Sequence, residues 1–269
     1  MPYELGIIGA GNMAEAIARG VLRGGLFRAE QLIAADVSPQ RRDLFQQLGI
    51  RAVESNLDAA REARVLLLSV KPQQMADALG GIGTVLNPDA VVVSIAAGIT
   101  TSFIEQHLAQ GRRWRVVRTM PNTPMLVGEG ITALAPGAHA TADDVARARR
   151  IFEAGGAAVE VREELLDAVT ALSGSGPAYF FYLAEHMIAA GVAAGLTPEQ
   201  SKLLVTRTAV GAAKMLAESP DSPQELRRKV TSPGGTTQAA VTVFDDAGLP
   251  DVVKKAILAA RDRGRELKK

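Results

Sequence analysis

The chain has 269 residues, 47% hydrophobic and 22% charged, which excludes a disordered chain or a coiled-coil rod and suits two domains of ordinary size. Lys+Arg number 30 against 29 Asp+Glu, a net charge of +1, so no global field draws in nucleic acid or anionic lipid. Cysteine is absent and histidines number 3. Disulfides, thiolate zinc sites and thiol nucleophiles are therefore excluded, and His107, His139 and His186 share no metal-ligand spacing.

The sequence opens MPYELGIIGAGN, without the basic region of a signal peptide, so none is expected and the cytoplasm is the expected compartment. In chain order, residues 5–8 read as a strand ending in a glycine turn, and 12–24 as a helix. Strands are expected at 32–35, 65–70, 90–96, 116–120 and 131–135, with a helix at 39–48. The run VLLLSV at 65–70 lacks the alternation of a half-exposed strand. Apolar runs of this kind, spaced by helices, predict a parallel sheet buried on both faces, the doubly wound pattern of a Rossmann domain.

The pattern changes near 159–162, and beyond it only helices are legible, at 163–195, 197–219, 222–228, 235–246 and 250–269. Thr197-Pro198-Glu199-Gln200 is a helix start: Thr197 as N-cap, Pro198 at the first helical position, Gln200 completing a capping box. Gly195 fits the end of the preceding helix. The weakly charged stretch 178–196 carries Glu185 and His186, so it reads as a buried or interface helix and not as a membrane span. The expected class is α/β: a doubly wound domain over 1–160, then an all-α C-terminal domain over 161–269.

Gly9-Ala10-Gly11-Asn12-Met13-Ala14 has the form G-x-G-x-x-A between a strand and a helix. Gly9 allows the tight turn, Gly11 lets backbone amides approach a pyrophosphate, and small Ala14 permits close helix–strand packing. The helix N-terminus adds donors and partial positive charge. Asp36 ends the second strand, where a carboxylate accepts from both ribose hydroxyls and favours NADH. Ser38, Arg41 and Arg42 follow at once; they either hold a 2′-phosphate or form a solvated helix face. Val70-Lys71-Pro72 and Ala96-Ala97-Gly98 end the third and fourth strands, and their small residues leave room for ribose or nicotinamide. Lys71 either touches ribose or faces water. Asn122, in Met120-Pro121-Asn122-Thr123-Pro124, either bonds a ligand or belongs to a stiff connector.

Two stretches of the helical half conflict with helix propensity: Ser173-Gly174-Ser175-Gly176-Pro177, and Thr231-Ser232-Pro233-Gly234-Gly235-Thr236-Thr237 before a helix. The second offers backbone amides to a carboxylate. No Lys or Arg stands between Arg162 and Lys202. A hydroxyacid dehydrogenase of this layout would need a cation there for the alcohol proton. A protonated imine needs none, because it already carries the positive charge that hydride seeks.

The segments GIIGAGNMAEAI, SVKPQ, SIAAGI, MPNTP, DAVTALSGSGPAYFF and VTSPGGTT resemble pyrroline-5-carboxylate reductase over nearly the whole chain. The resemblance implies hydride transfer from NADPH or NADH to C5 of 1-pyrroline-5-carboxylate, the last step of proline biosynthesis. It implies that Ile8, Gly9, Ala10, Gly11, Asn12 and Met13 wrap the pyrophosphate, that Asp36 senses the adenosine ribose, and that Asn56 contacts the cofactor. Ser69, Val70, Lys71 and Pro72, with Ile95, Ala96 and Ala97, would wall the ribose and nicotinamide. Glu163 would border the substrate. Ser232, Gly234, Gly235, Thr236 and Thr237 would hold its carboxylate, with the Thr237 hydroxyl on the ring nitrogen; Thr237 and Ser232 are the catalytic candidates. The role of Lys229 stays open. The resemblance also implies a homodimer through the helical domain, with higher oligomers open, in which one subunit's cofactor meets its neighbour's VTSPGGTT loop. No metal is implied.

Overall fold

A computed structural model describes residues 3–108 and 111–267; residues 268 and 269, the end of the last expected helix, lie outside the described residues. The first half alternates strands and helices: β1 (Tyr3–Ile8), α1 (Asn12–Arg23), β2 (Leu32–Ala35), α2 (Pro39–Gln47), β3 (Arg51–Val53), α3 (Asn56–Arg61), β4 (Ala63–Leu68), the short α4 (Met75–Leu79) and α5 (Ile82–Val85), β5 (Val91–Ser94), α6 (Thr101–Leu108), β6 (Arg115–Met120), β7 (Gly130–Pro136), α7 (Ala142–Glu153) and β8 (Gly156–Glu160). One sheet holds every strand in the order β3-β2-β1-β4-β5-β6-β7-β8. The strands from β3 through β6 pair in parallel. β7 runs antiparallel to β6, and β8 parallel to β7. The order of the first six strands is that of dinucleotide-binding sheets, whose switch point lies between β1 and β4.

Alternate residues of each strand enter opposite cores. Leu5, Ile7, Leu67, Val91 and Val93 pack under α1 and α7 with Ile17, Val21, Ile151 and Phe152. Ile8, Leu66, Leu68 and Val92 pack on the other face with Leu79, Ile82, Ile104 and Trp114. These strand residues are at most 1% exposed, and full burial of one such side chain contributes roughly 1.5–3 kcal/mol. Gly6 lies where α3 crosses close: a Cβ there would stand 2.6 Å from the Ala59 carbonyl oxygen.

β3 and β8 are strands that the apolar pattern does not reveal. β3 has three residues with Arg51 exposed, and β8 (GAAVE) is partly exposed along its length. Both sit at the edges of the sheet, where neither face needs a continuous apolar run.

The chain divides into two compact units, Met1–Ser175 with Ala260–Lys269, and Gly176–Ala259. This division falls later than the expected boundary at 160. The reason is local: Leu166 is fully buried with Met120, Ala133 and Ala135 of the sheet. The single helix expected over 163–195 is broken. A 3-10 turn (Glu163–Leu165) leads into α8 (Leu166–Val169), a π turn (Thr170–Gly174) and then α9 (Gly176–Ala193). The Ser175 amide donates to the Thr170 carbonyl at 2.8 Å, a wide turn just before Pro177, which has no N–H to continue a regular ladder.

The second unit is helical: α9, α10 (Pro198–Glu218), α11 (Pro223–Lys229), α12 (Thr236–Asp246) and the start of α13 (Leu249–Glu266). Gly195, φ +101°, turns the chain just after α9, where the Leu196 amide donates to Gly191. The capping box at Thr197 forms as expected: its hydroxyl accepts from the Gln200 amide at 3.2 Å, and its own amide donates to the Gln200 side chain at 3.0 Å. α9 and α10 approach closely at Gly191, where a Cβ would stand 2.4 Å from the Ser201 hydroxyl. Among the described residues no helix is long and apolar enough to cross a membrane.

Candidate active site

The first half-site lies in the first unit, at the carboxyl ends of β1, β2 and β4. Gly9 turns with φ +89°, and a Cβ there would stand 2.9 Å from Val70 Cγ1. Gly11 is the N-cap of α1 and has no side chain to cap it. A Cβ on Gly11 would meet nothing within 4 Å. The first intrahelical bond runs from the Glu15 amide to Gly11, so the amides of residues 12–14 precede the ladder and stand ready for an anion. The open space and the uncapped amides fit a dinucleotide pyrophosphate.

Gly9, Gly11, Asp36, Asn56, Ser69, Val70 and Lys71 line one cleft of about 420 Å³, together with Val37, Gln74 and Asp77. The sequence reading names the first seven; Gln74 comes just after the SVKPQ segment, which ends at Gln73, and Val37 follows Asp36. Ile8, Ala10 and Ala96 are buried beneath the surface. Asn12, Met13, Pro72, Ile95 and Ala97 do not line that cleft. Asn56 opens α3, and its side-chain amide donates to the Ala78 carbonyl at 3.3 Å.

Asp36 is bound to the glycine turn. Its Oδ2 accepts from the Ala10 amide at 2.7 Å and its Oδ1 from the Ser38 amide at 2.8 Å. The Ser38 hydroxyl caps α2 by accepting from the Arg41 amide at 3.4 Å. Neither arginine is free. Arg41 donates to the Ala10 carbonyl and, at 3.0 Å, to Glu15. Arg42 donates to the Asp36 and Val37 carbonyls at 2.8 and 2.9 Å. Burial pushes the Glu15 carboxyl up, but hydrogen bonds from Arg19 and Arg41 outweigh it and hold the group below its ordinary range.

Asn122 is a bracket. Its side-chain oxygen accepts from the Ile131 amide at 2.9 Å, and its nitrogen donates to the Ser173 carbonyl at 3.2 Å. Glu163 is also engaged: its carboxylate takes the Thr101 amide and hydroxyl and faces Arg118 Nη1 at 3.4 Å. Arg118, 1% exposed, also stands 4.0 Å from Asp167.

The second half-site lies in the second unit. Gly234 has φ +71°, and its amide donates to the Gln238 side chain at 2.6 Å. A Cβ on Gly235 would stand 2.5 Å from the Ser232 hydroxyl, so each glycine is required for a separate reason, backbone angle and close approach. Gly235 is the N-cap of α12, without a side-chain cap. The first bond of that helix runs from the Ala239 amide to Gly235, which leaves the Thr236 and Thr237 amides ahead of the ladder. A helix start of this kind can accept an anion. Lys229 pairs with Asp221, and its hydrogen bond holds that carboxyl below the usual range.

Residues 163–267 match the family model "Pyrroline-5-carboxylate reductase dimerisation", and residues 4–98 match "NADP oxidoreductase coenzyme F420-dependent". A pyrroline-5-carboxylate reductase of Methanosarcina acetivorans is 40% identical over 99% of this chain and 98% of its own length. The solved structure of such a reductase from Coxiella burnetii superposes with TM-score 0.92 at 36% identity, covering 100% of both chains. A Plasmodium falciparum pyrroline carboxylate reductase, solved with NADP bound, superposes with TM-score 0.88 at 29% identity, covering 99% of this chain and 98% of its own.

Proposed function

The chain belongs to the pyrroline-5-carboxylate reductase family, and from that premise we propose how its residues reduce 1-pyrroline-5-carboxylate to L-proline, the last step of proline biosynthesis. The observation that carries the proposal is the pairing of chemistries in one chain: a glycine turn open to a pyrophosphate, and an uncapped helix start of small residues open to a carboxylate. Reduced NADP or NAD, when bound, supplies the hydride.

Gly9, Gly11 and the first amides of α1 hold the pyrophosphate, and Asn56, Ser69, Val70 and Lys71 wall the cleft. Ile95, with the small Ala96 and Ala97, gives the wall beside the nicotinamide. Ser232 and the backbone amides of Thr236 and Thr237 hold the substrate carboxylate, on a turn that Gly234 and Gly235 shape. The Thr237 hydroxyl bonds the ring nitrogen and orients the imine. The substrate enters with that nitrogen protonated, so hydride addition at C5 cancels a charge already present, and no side chain has to deliver a proton in that step. Catalysis is then mostly positioning. Glu163 contributes a fixed wall, since Thr101 and Arg118 already take its carboxylate.

The helical unit also supports a homodimer. Phe180, Phe181 and Tyr182 on α9 are 66–71% exposed, apolar surface of the kind a second copy covers. Assemblies beyond the dimer, a cytoplasmic location and the functional division at residue 160 belong to the same proposal.

The test is turnover of 1-pyrroline-5-carboxylate with NADH and with NADPH, followed by loss of the reduced nicotinamide absorbance. Imine-dependent oxidation supports the proposal. Cofactor binding without any imine-dependent oxidation overturns it.

A further inference from the structure

Resting on the hydride-donor reading above, we propose that this chain selects NADH over NADPH, and that Asp36 makes the choice by filling the anion position at the start of α2 with its own carboxylate.

The adenosine ribose of a dinucleotide lies at the carboxyl end of the second strand, so the residue there meets its 2′ position. A 2′-phosphate placed there needs donors: backbone amides at the following helix start and nearby cations. In this chain the Ser38 donors and both arginines already have partners. The Ser38 amide donates to Asp36 Oδ1, and the Ser38 hydroxyl caps the helix. Arg41 is held by the Ala10 carbonyl and Glu15. Arg42 is held by two backbone carbonyls and stands 3.7 Å from Glu54. The cation that lines the cleft, Lys71, follows β4, on the far side of β1 from β2. Its other acid, Asp77, adds negative charge.

An ionised carboxylate has about four acceptor positions. The Ala10 and Ser38 amides use one on each oxygen. Both oxygens therefore keep an acceptor position for a ribose hydroxyl. A phosphate would instead face the like charge of Asp36, beside arginines whose N–H groups are turned to Ala10, Glu15 and the Asp36 and Val37 carbonyls. Asp36 also orders the turn that receives the pyrophosphate, since it anchors the Ala10 amide. Selection and cradle are thus joined through one side chain.

Binding measured without imine separates this inference from the reductase reading. Dissociation constants for NADH and NADPH are read from the fluorescence of the reduced nicotinamide, for the natural chain and for Asp36→Ser and Asp36→Asn. NADH is expected to bind at least about tenfold more tightly than NADPH, in line with loss of charge-assisted hydrogen bonds and gain of repulsion. Asp36→Ser should narrow that ratio by roughly tenfold to a hundredfold. Asp36→Asn keeps the shape and an acceptor for the turn while removing the charge, and should also narrow it. Equal or tighter NADPH binding by the natural chain overturns the proposal. So does an unchanged ratio in a folded Asn variant, whatever the outcome with the imine.

Discussion

Both carboxylate oxygens of Glu163 close on Thr101, Oε1 on its amide and Oε2 on its hydroxyl, each at 2.8 Å. The contact anchors the turn after β8 to the start of α6, and the buried Arg118 completes it. Removing one partner from such a group leaves uncompensated buried charge. Arg118→Met should therefore destabilise the chain by about 3–5 kcal/mol. Urea unfolding would measure this, and a loss well under 1 kcal/mol would show that Glu163 and Asp167 need no cation.

Gly9 and Gly11 should fail differently. Gly9→Ala forces a side chain into a positive φ and against Val70. It should lower stability by at least about 1–2 kcal/mol, and cofactor affinity with it. Gly11→Ala meets open space in the protein. It should leave the melting temperature nearly unchanged while weakening cofactor binding, because its methyl group enters the pyrophosphate's position. Equal melting temperatures for the two variants would contradict this division.

Thr237 should matter to catalysis and little to cofactor binding. Thr237→Ala is expected to lower kcat/KM by about tenfold to a hundredfold, the loss of one hydrogen bond of about 1.5–3 kcal/mol to a charged group. Thr237→Ser should recover most of it, with the NADH dissociation constant constant across the series. Unchanged kinetics in the alanine variant would remove Thr237 from the mechanism.

Glu105 gives a pH signature. Burial pushes its carboxyl above the ordinary range and Glu163 adds to this, while His139 and the Ala138 amide oppose. The folded state thus binds this proton more tightly than the unfolded state does. Its contribution to stability is full below the unfolded pKa and is lost as pH rises through the folded one. Glu105→Gln should raise the melting temperature at neutral pH by roughly 1–3 °C. The gain should shrink as the pH falls below the ordinary carboxylate range. A gain that is constant with pH would assign the effect to packing.

The sheet core and the turn from β1 into α1 are legible in sequence because apolar runs and G-x-G-x-x-A are local signals. So is the start of α10, where Thr197 and Gln200 satisfy each other within one turn. β3 and β8 are not, since edge strands carry no continuous apolar run. The glycines before Pro177 announce an interruption, but the π turn that resolves it depends on packing against the sheet. The commitment of Asp36 is hidden because its partner amide at Ala10 comes from another strand end. Asn122 reads equally well as ligand or connector until Ile131 and Ser173 are seen to take both ends of its side chain.

Isotope transfer follows the hydride from the nicotinamide to the imine carbon. NADH or NADPH carrying deuterium at the transferring position of the nicotinamide is incubated with the protein and 1-pyrroline-5-carboxylate, and the product is analysed by mass spectrometry and NMR. L-proline with one deuterium at C5 is the expected product. Proline without label, or consumption of the cofactor with no proline formed, would contradict it.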